Sequence, residues 1–374
     1  MLVIGVILLC LRLSLRTVIP QPAEPTFNGD YNGPLCSELP GANETLVIMK
    51  TGSTEMQDKL PVHFHTTFTC YPNYIIFSDL EEEFQGHHII DALDSVDPDV
   101  KQSNDDFELW RRLQEGGRAA LKADELSGPD SKVSPMTGKR ANPGWKLDKW
   151  KFLPMVNRTL EEHPDFKWYI FVETDTYMFW SAALAYIAEL DYTKLVYMGS
   201  QMQIGEVVFG HGGSGIIVSQ ASLRLVVDFY QEDPAEWEAF TDTHWAGDCV
   251  LGKAFRDAGS PLGWAWPTIQ GWKPGAVEYD KYDYGKRLWC YPTIAYHHLS
   301  PTEVEDIWRF EQYWISKVRR LETLHGYELA DFHLDQSSNQ TSRCLQGIHS
   351  SPHPGNQRHE DAMGQSKRQV RGRC

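Results

Sequence analysis

Five consecutive apolar residues, Trp168-Tyr169-Ile170-Phe171-Val172, lie between polar segments and end in Glu173-Thr174-Asp175. A strand with one wet face alternates polar and apolar side chains. A strand without a polar position is buried on both faces, as in a parallel sheet covered by helices. Shorter runs of the same kind recur at Leu46–Met49, Tyr74–Ser78, Leu195–Met198, Ile216–Val218 and Ile294–His297. Helical patterns fall at 105–122, at 149–160 (capped or interrupted at Pro154), at 181–190 and at 222–230. From Glu303 to Leu321 the apolar residues Ile307, Phe310, Trp314, Val318 and Leu321 keep helical spacing, which predicts an amphipathic helix. Strands alternating with helices predict an α/β fold with a mostly parallel central sheet flanked by helices.

Composition supports one large core. The chain has 374 residues, of which 41% are hydrophobic and 12% aromatic. That aromatic load excludes a disordered or fibrous chain. The net charge is −16, which repels phosphate backbones and argues against nucleic acid as a partner. Residues 335–374 are rich in Ser, Gln, Gly, His and Arg and read as a disordered tail. Without that tail, 48 acidic residues face 29 basic ones. A body that acidic would hold a phosphate-bearing substrate through a metal ion or a few placed cations.

Residues 1–19 are apolar but short for a spanning helix and carry Arg12 and Arg16. They read as a signal anchor of a type II membrane protein, with a cleaved signal peptide or a buried helix as alternatives. Residues 20–44 read as a Pro- and Gly-rich stem, and 45–334 as a catalytic domain. Sequons at Asn43, Asn157 and Asn339 favour the secretory pathway, in the Golgi or the endoplasmic reticulum. Disulfides are then permitted, and Cys36–Cys70 and Cys249–Cys290 are the expected pairs.

Four local patterns carry chemistry. Glu173 and Asp175 are released where a buried strand ends, which is where open α/β sheets bind ligands. Two acids there can hold a hard cation, although they would equally cap the next helix. Gly210-His211-Gly212-Gly213-Ser214-Gly215 has neither a dinucleotide-binding nor a Walker layout. Its glycines permit a tight turn or a close approach to a ligand. Asp248 precedes an apolar helical segment, as an N-cap or a general base would. His297-His298 ends the last strand, where an imidazole could complete a metal site or be structural.

In order, these patterns resemble the metal-dependent β1,3-glycosyltransferases of family 31, the Fringe and core 1 β1,3-galactosyltransferase group, in a fungal-type branch. The resemblance covers roughly residues 45–320. ETDTY is similar to the family's acidic strand-end motif, GGSGIIVS to its Gly-Gly-Ala-Gly segment, GDCVLGKAF to Glu-Asp-Val-x-x-Gly, and IAYHHLS to the late strand ending in histidine. Glu173-Thr174 stands where Asp-Asp is usual, and Gly247 stands where a Glu precedes the base.

The resemblance implies a GT-A-like domain with Asp175 and His297 as metal ligands and Asp248 as catalytic base. It implies Glu173, Thr51, Gly52 and Lys149 near the donor nucleotide. Gly212, Gly213, Trp245 and Trp180 are the candidate substrate contacts. The implied reaction moves a sugar, galactose first and GlcNAc next, from a UDP-sugar to a glycan or glycoprotein hydroxyl with inversion. Mn²⁺, or else Mg²⁺, would be the cofactor, and the histidine ligand tilts the choice to Mn²⁺. Two other readings use the same residues. A secreted glycoside hydrolase would use paired carboxylates and Trp without metal or nucleotide. A non-catalytic glycan-binding protein would bind sugars without UDP.

Overall fold

A computed structural model describes residues 36–127 and 142–325. The strands are β1 (Thr45–Lys50), β2 (Tyr74–Ser78), β3 (Glu82–Phe84), β4 (His87–Asp91), β5 (Trp168–Glu173), β6 (Tyr177–Met178), β7 (Tyr197–Gly199), β8 (Gln201–Ile204), β9 (Val207–Gly210), β10 (Ile216–Ser219), β11 (Gly263–Trp264), β12 (Tyr282–Asp283), β13 (Lys286–Arg287) and β14 (Ala295–Tyr296). The helices are α1 (Met56–Lys59), α2 (Pro61–Phe64), α3 (Pro98–Ser103), α4 (Glu108–Gly116), α5 (Pro143–Glu162), α6 (Trp180–Ala188), α7 (Gln220–Glu232), α8 (Pro234–Asp242), α9 (Gly247–Ala258) and α10 (Pro301–His325).

Eight strands form the central sheet in the order β11-β7-β10-β5-β1-β2-β4-β3. Strand β1 is parallel to both β2 and β5, β2 to β4, and β7 to β11. Only β10 and β3 run the other way. The sheet is therefore mostly parallel, as the unbroken apolar runs predict. In β1 and β5 every residue except Glu173 is buried.

Period-2 alternation sorts the core into two layers. Val47, Met49, Ile170 and Val172 pack on one face with Met56, Leu60 and the α6 residues Trp180, Leu184 and Ile187. Leu46, Ile48, Tyr169 and Phe171 pack on the other face with α5, α7 and α9. The helix over Pro154 is not interrupted. It runs from Pro143 to Glu162, because its buried residues hold it against the sheet on both sides of the proline.

Several expectations change. The compact body begins before Thr45, since Leu39 and Ala42 are in the core and Cys36 is bonded to Cys70. Cys249 is a buried thiol, so the expected Cys249–Cys290 bridge does not form. The last strand, β14, is outside the central sheet and pairs with β6. Asn157 is buried within α5 and its amide bonds Glu161, which does not suit a glycosylation acceptor. The anchor, the stem up to residue 35 and the tail after 334 lie outside the described residues. Among the described residues no helix is long and apolar enough to cross a membrane.

Candidate functional site

The parallel strands deliver their carboxyl ends to one edge. Register aligns Lys50, the last residue of β1, with Glu173, the last residue of β5. Both lie on the face covered by α5, two residues on from Ile48 and Phe171. The Lys50 ammonium is 3.1 Å from Glu173 Oε1 and also bonds Asp148 of α5. It sits 4.6 Å from the centre of the Phe152 ring. Burial would lower the Lys50 pKa, but the carboxylates of Asp148 and Glu173 outweigh it and hold the amine charged.

Asp175 faces a different set of partners. Its Oδ2 is 3.0 Å from Lys59 Nζ, and its Oδ1 is 3.2 Å from His297 Nε2. Burial would raise its pKa. Lys59 and His297 reverse that effect, holding the carboxyl well below the usual range. A third possible ligand is His298, stacked on His297 with ring centres 3.8 Å apart. Ligand atoms of Asp175, His297 and His298 lie within 4.8 Å of one another.

The loop holding the two histidines is tied to the acid. The Leu299 N–H donates to the Asp175 carbonyl at 3.0 Å. His298 has φ 63°, a left-handed conformation that costs a non-glycine residue of order 1–3 kcal/mol. The strain places both imidazoles beside one carboxylate. His297 is buried, and its Nδ1 has no hydrogen-bond partner.

This donor set suits a divalent ion. One carboxylate oxygen and two imidazole nitrogens match a first-row transition ion better than Mg²⁺, which prefers an all-oxygen shell. The buried Nδ1 of His297 has no partner in the protein, so it is a polar atom left for a bound ligand to satisfy.

Asp248 sits in the first turn of α9, with Oδ2 accepting from the Gly212 N–H at 3.0 Å. Burial raises its pKa, opposed by His211 and the Gly212 N–H and reinforced by Glu173 and Asp148. The residue as a whole is partly exposed.

The glycine segment builds the site by close approach. A Cβ on Gly213 would collide with the His297 ring, and one on Gly212 would lie 3.1 Å from Phe152 and 3.3 Å from Glu173 Oε1. The Gly213 carbonyl accepts from the Thr176 hydroxyl at 2.5 Å. These two glycines are buried spacers rather than surface for a substrate.

Thr51 and Gly52 follow β1 beside a second buried ion pair. Lys151 Nζ donates to the Thr51 carbonyl at 2.7 Å and is 3.6 Å from Asp79 Oδ2. The Thr51 hydroxyl and Asp79 Oδ2 are buried without a hydrogen-bond partner.

Two expected residues are elsewhere. Trp180 is 2% exposed in the core, and its indole N–H donates to the Cys36 carbonyl, so it cannot touch a substrate. Lys149 is directed away, to Asp106 at 2.8 Å and the Asp242 carbonyl at 2.9 Å. Trp245 is exposed three residues before Asp248. Trp272 is exposed too, with its ring 6.1 Å from that of His298.

Sequence reading missed Lys50, Lys59 and His211. His211 lies among the charges of Asp248, His297, Glu173 and Asp175, and its Nδ1 bonds the Ser214 hydroxyl at 2.7 Å. Its place inside the glycine motif was the available signal. A lysine ending an apolar strand, as Lys50 does, was the other.

No family model matches the chain, and no curated protein matches it either. Among solved structures it is similar to a glycosyltransferase involved in the glycosylation of the major capsid of PBCV-1. The identity is 11%, the match covers 71% of this chain and 99% of that chain, and the TM-score is 0.29. A similarity that remote transfers no residue role, so the functional reading rests on the site's own geometry.

Proposed function

We propose that this protein is an inverting, metal-dependent glycosyltransferase using a UDP-sugar. One observation carries the reading. Asp175, His297 and His298 come together at the carboxyl edge of a mostly parallel sheet, with Asp248 brought to the neighbouring Gly212. The four ordered motifs supply the family-31 part of the proposal: a β1,3 linkage, and galactose before GlcNAc as the sugar. Asp175, His297 and His298 would hold the ion; the family resemblance supplies Mn²⁺, and the imidazoles disfavour Mg²⁺. When bound, it would neutralise the leaving diphosphate as a Lewis acid.

The other tasks fall to the chain. Asp248 would accept the proton of the acceptor hydroxyl, and its raised pKa makes it a stronger base than an ordinary carboxylate. The Gly212 N–H fixes the orientation of that carboxylate. Trp245 and Trp272 are exposed aromatic surfaces against which a sugar ring can lie. A type II membrane protein of the Golgi or endoplasmic reticulum is the matching location, and the Cys36–Cys70 disulfide suits its oxidising lumen.

The test is a panel of UDP-sugars assayed with Mn²⁺ for thermal stabilisation and for transfer. Asp175→Ala is expected to lose both. Asp248→Ala is expected to keep the stabilisation and to lose transfer by about 10²-fold or more. Full activity in both variants would sink the assignment. Glycan hydrolysis independent of Mn²⁺ and UDP would favour a hydrolase instead.

A further inference from the structure

The two oxygens of the Asp175 carboxylate are divided between two kinds of partner. Oδ1 faces His297 at 3.2 Å, and Oδ2 faces the Lys59 ammonium at 3.0 Å. The ammonium is shared with Glu55 Oε2 at 2.9 Å, one turn back along the chain. An ion held by Asp175, His297 and His298 can take Oδ1 while Lys59 keeps Oδ2. One carboxylate then holds two cations side by side.

Exposure separates Lys59 from the other lysines of this edge. The side chain of Lys59 is 22% exposed, against 7% for Lys50 and 1% for Lys151. Lys50 and Lys151 are enclosed by their partners and cannot reach a ligand without rearrangement. Lys59 can, because it is partly exposed and its flexible stem permits a small shift.

We propose that Lys59 is the second cation of the donor site, so that the diphosphate of a nucleoside diphosphate is shared between its ammonium and the ion at Asp175, His297 and His298. This rests on the glycosyltransferase reading and adds to it a placed cation at a position the sequence did not mark. A phosphate oxygen is a strong acceptor for an ammonium. Lys59 also opposes the bare ion, since like charges repel, and rewards the ion and diphosphate together. Binding of the ion and binding of the nucleotide are therefore coupled through this residue.

Calorimetric titration of the full chain tests this with Mn²⁺ alone, with UDP in Mn²⁺, with UDP in chelator, and with uridine. In Lys59→Met, Mn²⁺ affinity is expected to hold or rise. UDP affinity in Mn²⁺ is expected to fall by about 10- to 100-fold, the scale of one lost charge-assisted hydrogen bond. Weak binding of UDP in chelator is expected to vanish, and uridine binding to stay unchanged. Lys59→Arg keeps the charge and is expected to recover part of the loss. Glu55→Gln frees the ammonium from its second partner and is expected to tighten UDP a few-fold, which guards against a Met variant that simply folds poorly.

Unchanged UDP affinity in Lys59→Met overturns the proposal. So does a loss of Mn²⁺ affinity matching the loss for UDP, since Lys59 would then only prop Asp175. Failure of the underlying reading looks different: the unaltered protein would bind neither Mn²⁺ nor UDP.

Discussion

Glu311 offers a test that needs no ligand. It lies on α10 and is 4% exposed. Its Oε2 accepts from the Tyr177 hydroxyl at 2.5 Å, and its Oε1 from the Ser181 hydroxyl at 3.2 Å. The first partner is on β6, just past Asp175, and the second is in the first turn of α6. The carboxyl thus ties α10 to the back of the site. Burial pushes its pKa up to about 7 from an ordinary 4.5, although the hydrogen bonds from Tyr177 and Ser181 oppose the rise. Between those values the folded protein holds a proton that the unfolded chain has released.

Stability from this group is therefore fully present below about pH 4.5 and lost as pH rises through about 7. The loss has an upper limit of about 3 kcal/mol at 1.36 kcal/mol per pKa unit. Glu311→Gln keeps an oxygen for the Tyr177 hydroxyl and turns an amide to the Ser181 hydroxyl; losing an acceptor for the Ser181 N–H costs the same at every pH, and the amide does not titrate. Urea unfolding followed by circular dichroism at pH 5, 6, 7 and 8 measures the difference. The variant is expected to gain on the unaltered protein as pH rises, reaching about 2–3 kcal/mol at pH 8. Other titrating groups are common to both proteins and cancel. Parallel curves across that range would refute the reasoning.

Two further outcomes follow from the packing. Gly213→Ala places a methyl against the His297 ring and is expected to weaken Mn²⁺ binding by about 10- to 100-fold, as other losses of ligand support do; titration of Mn²⁺ into the folded variant checks it. Replacing Cys36 and Cys70 with Ser opens a link across 34 residues and is expected to cost about 2–4 kcal/mol, read as a lower denaturation midpoint.

Much of the sheet was legible because strand burial is a local property. Leu46–Met49, Tyr74–Phe77 and Trp168–Val172 are apolar without a break, and each lies in a strand of the central sheet. The antiparallel sense of β10 was not legible, because direction depends on how the chain returns and not on the residues of the strand. Trp180 illustrates a limit of composition. An indole near a strand end suits both a sugar and a core, and here packing on Tyr71 and the α6 layer made it core.

Glu173, Asp175, Asp248 and His297 stood out in the sequence, because each sits beside an apolar run whose end can be read locally. Their partners did not. Lys50 and Asp148 are 98 residues apart, and Lys59 and Asp175 are 116 apart. Net charge counts ions without their positions. A total of −16 suggested a site short of positive charge, yet folding gathers Lys50, Lys59 and Lys151 at one sheet edge and balances each against an acid. Amino-acid order determined which strands are buried and where they release their polar residues, since both follow from periodicities of a few residues. Only tertiary structure decided which charges meet there, because electrostatic pairing acts over ångströms in space whatever the distance along the chain.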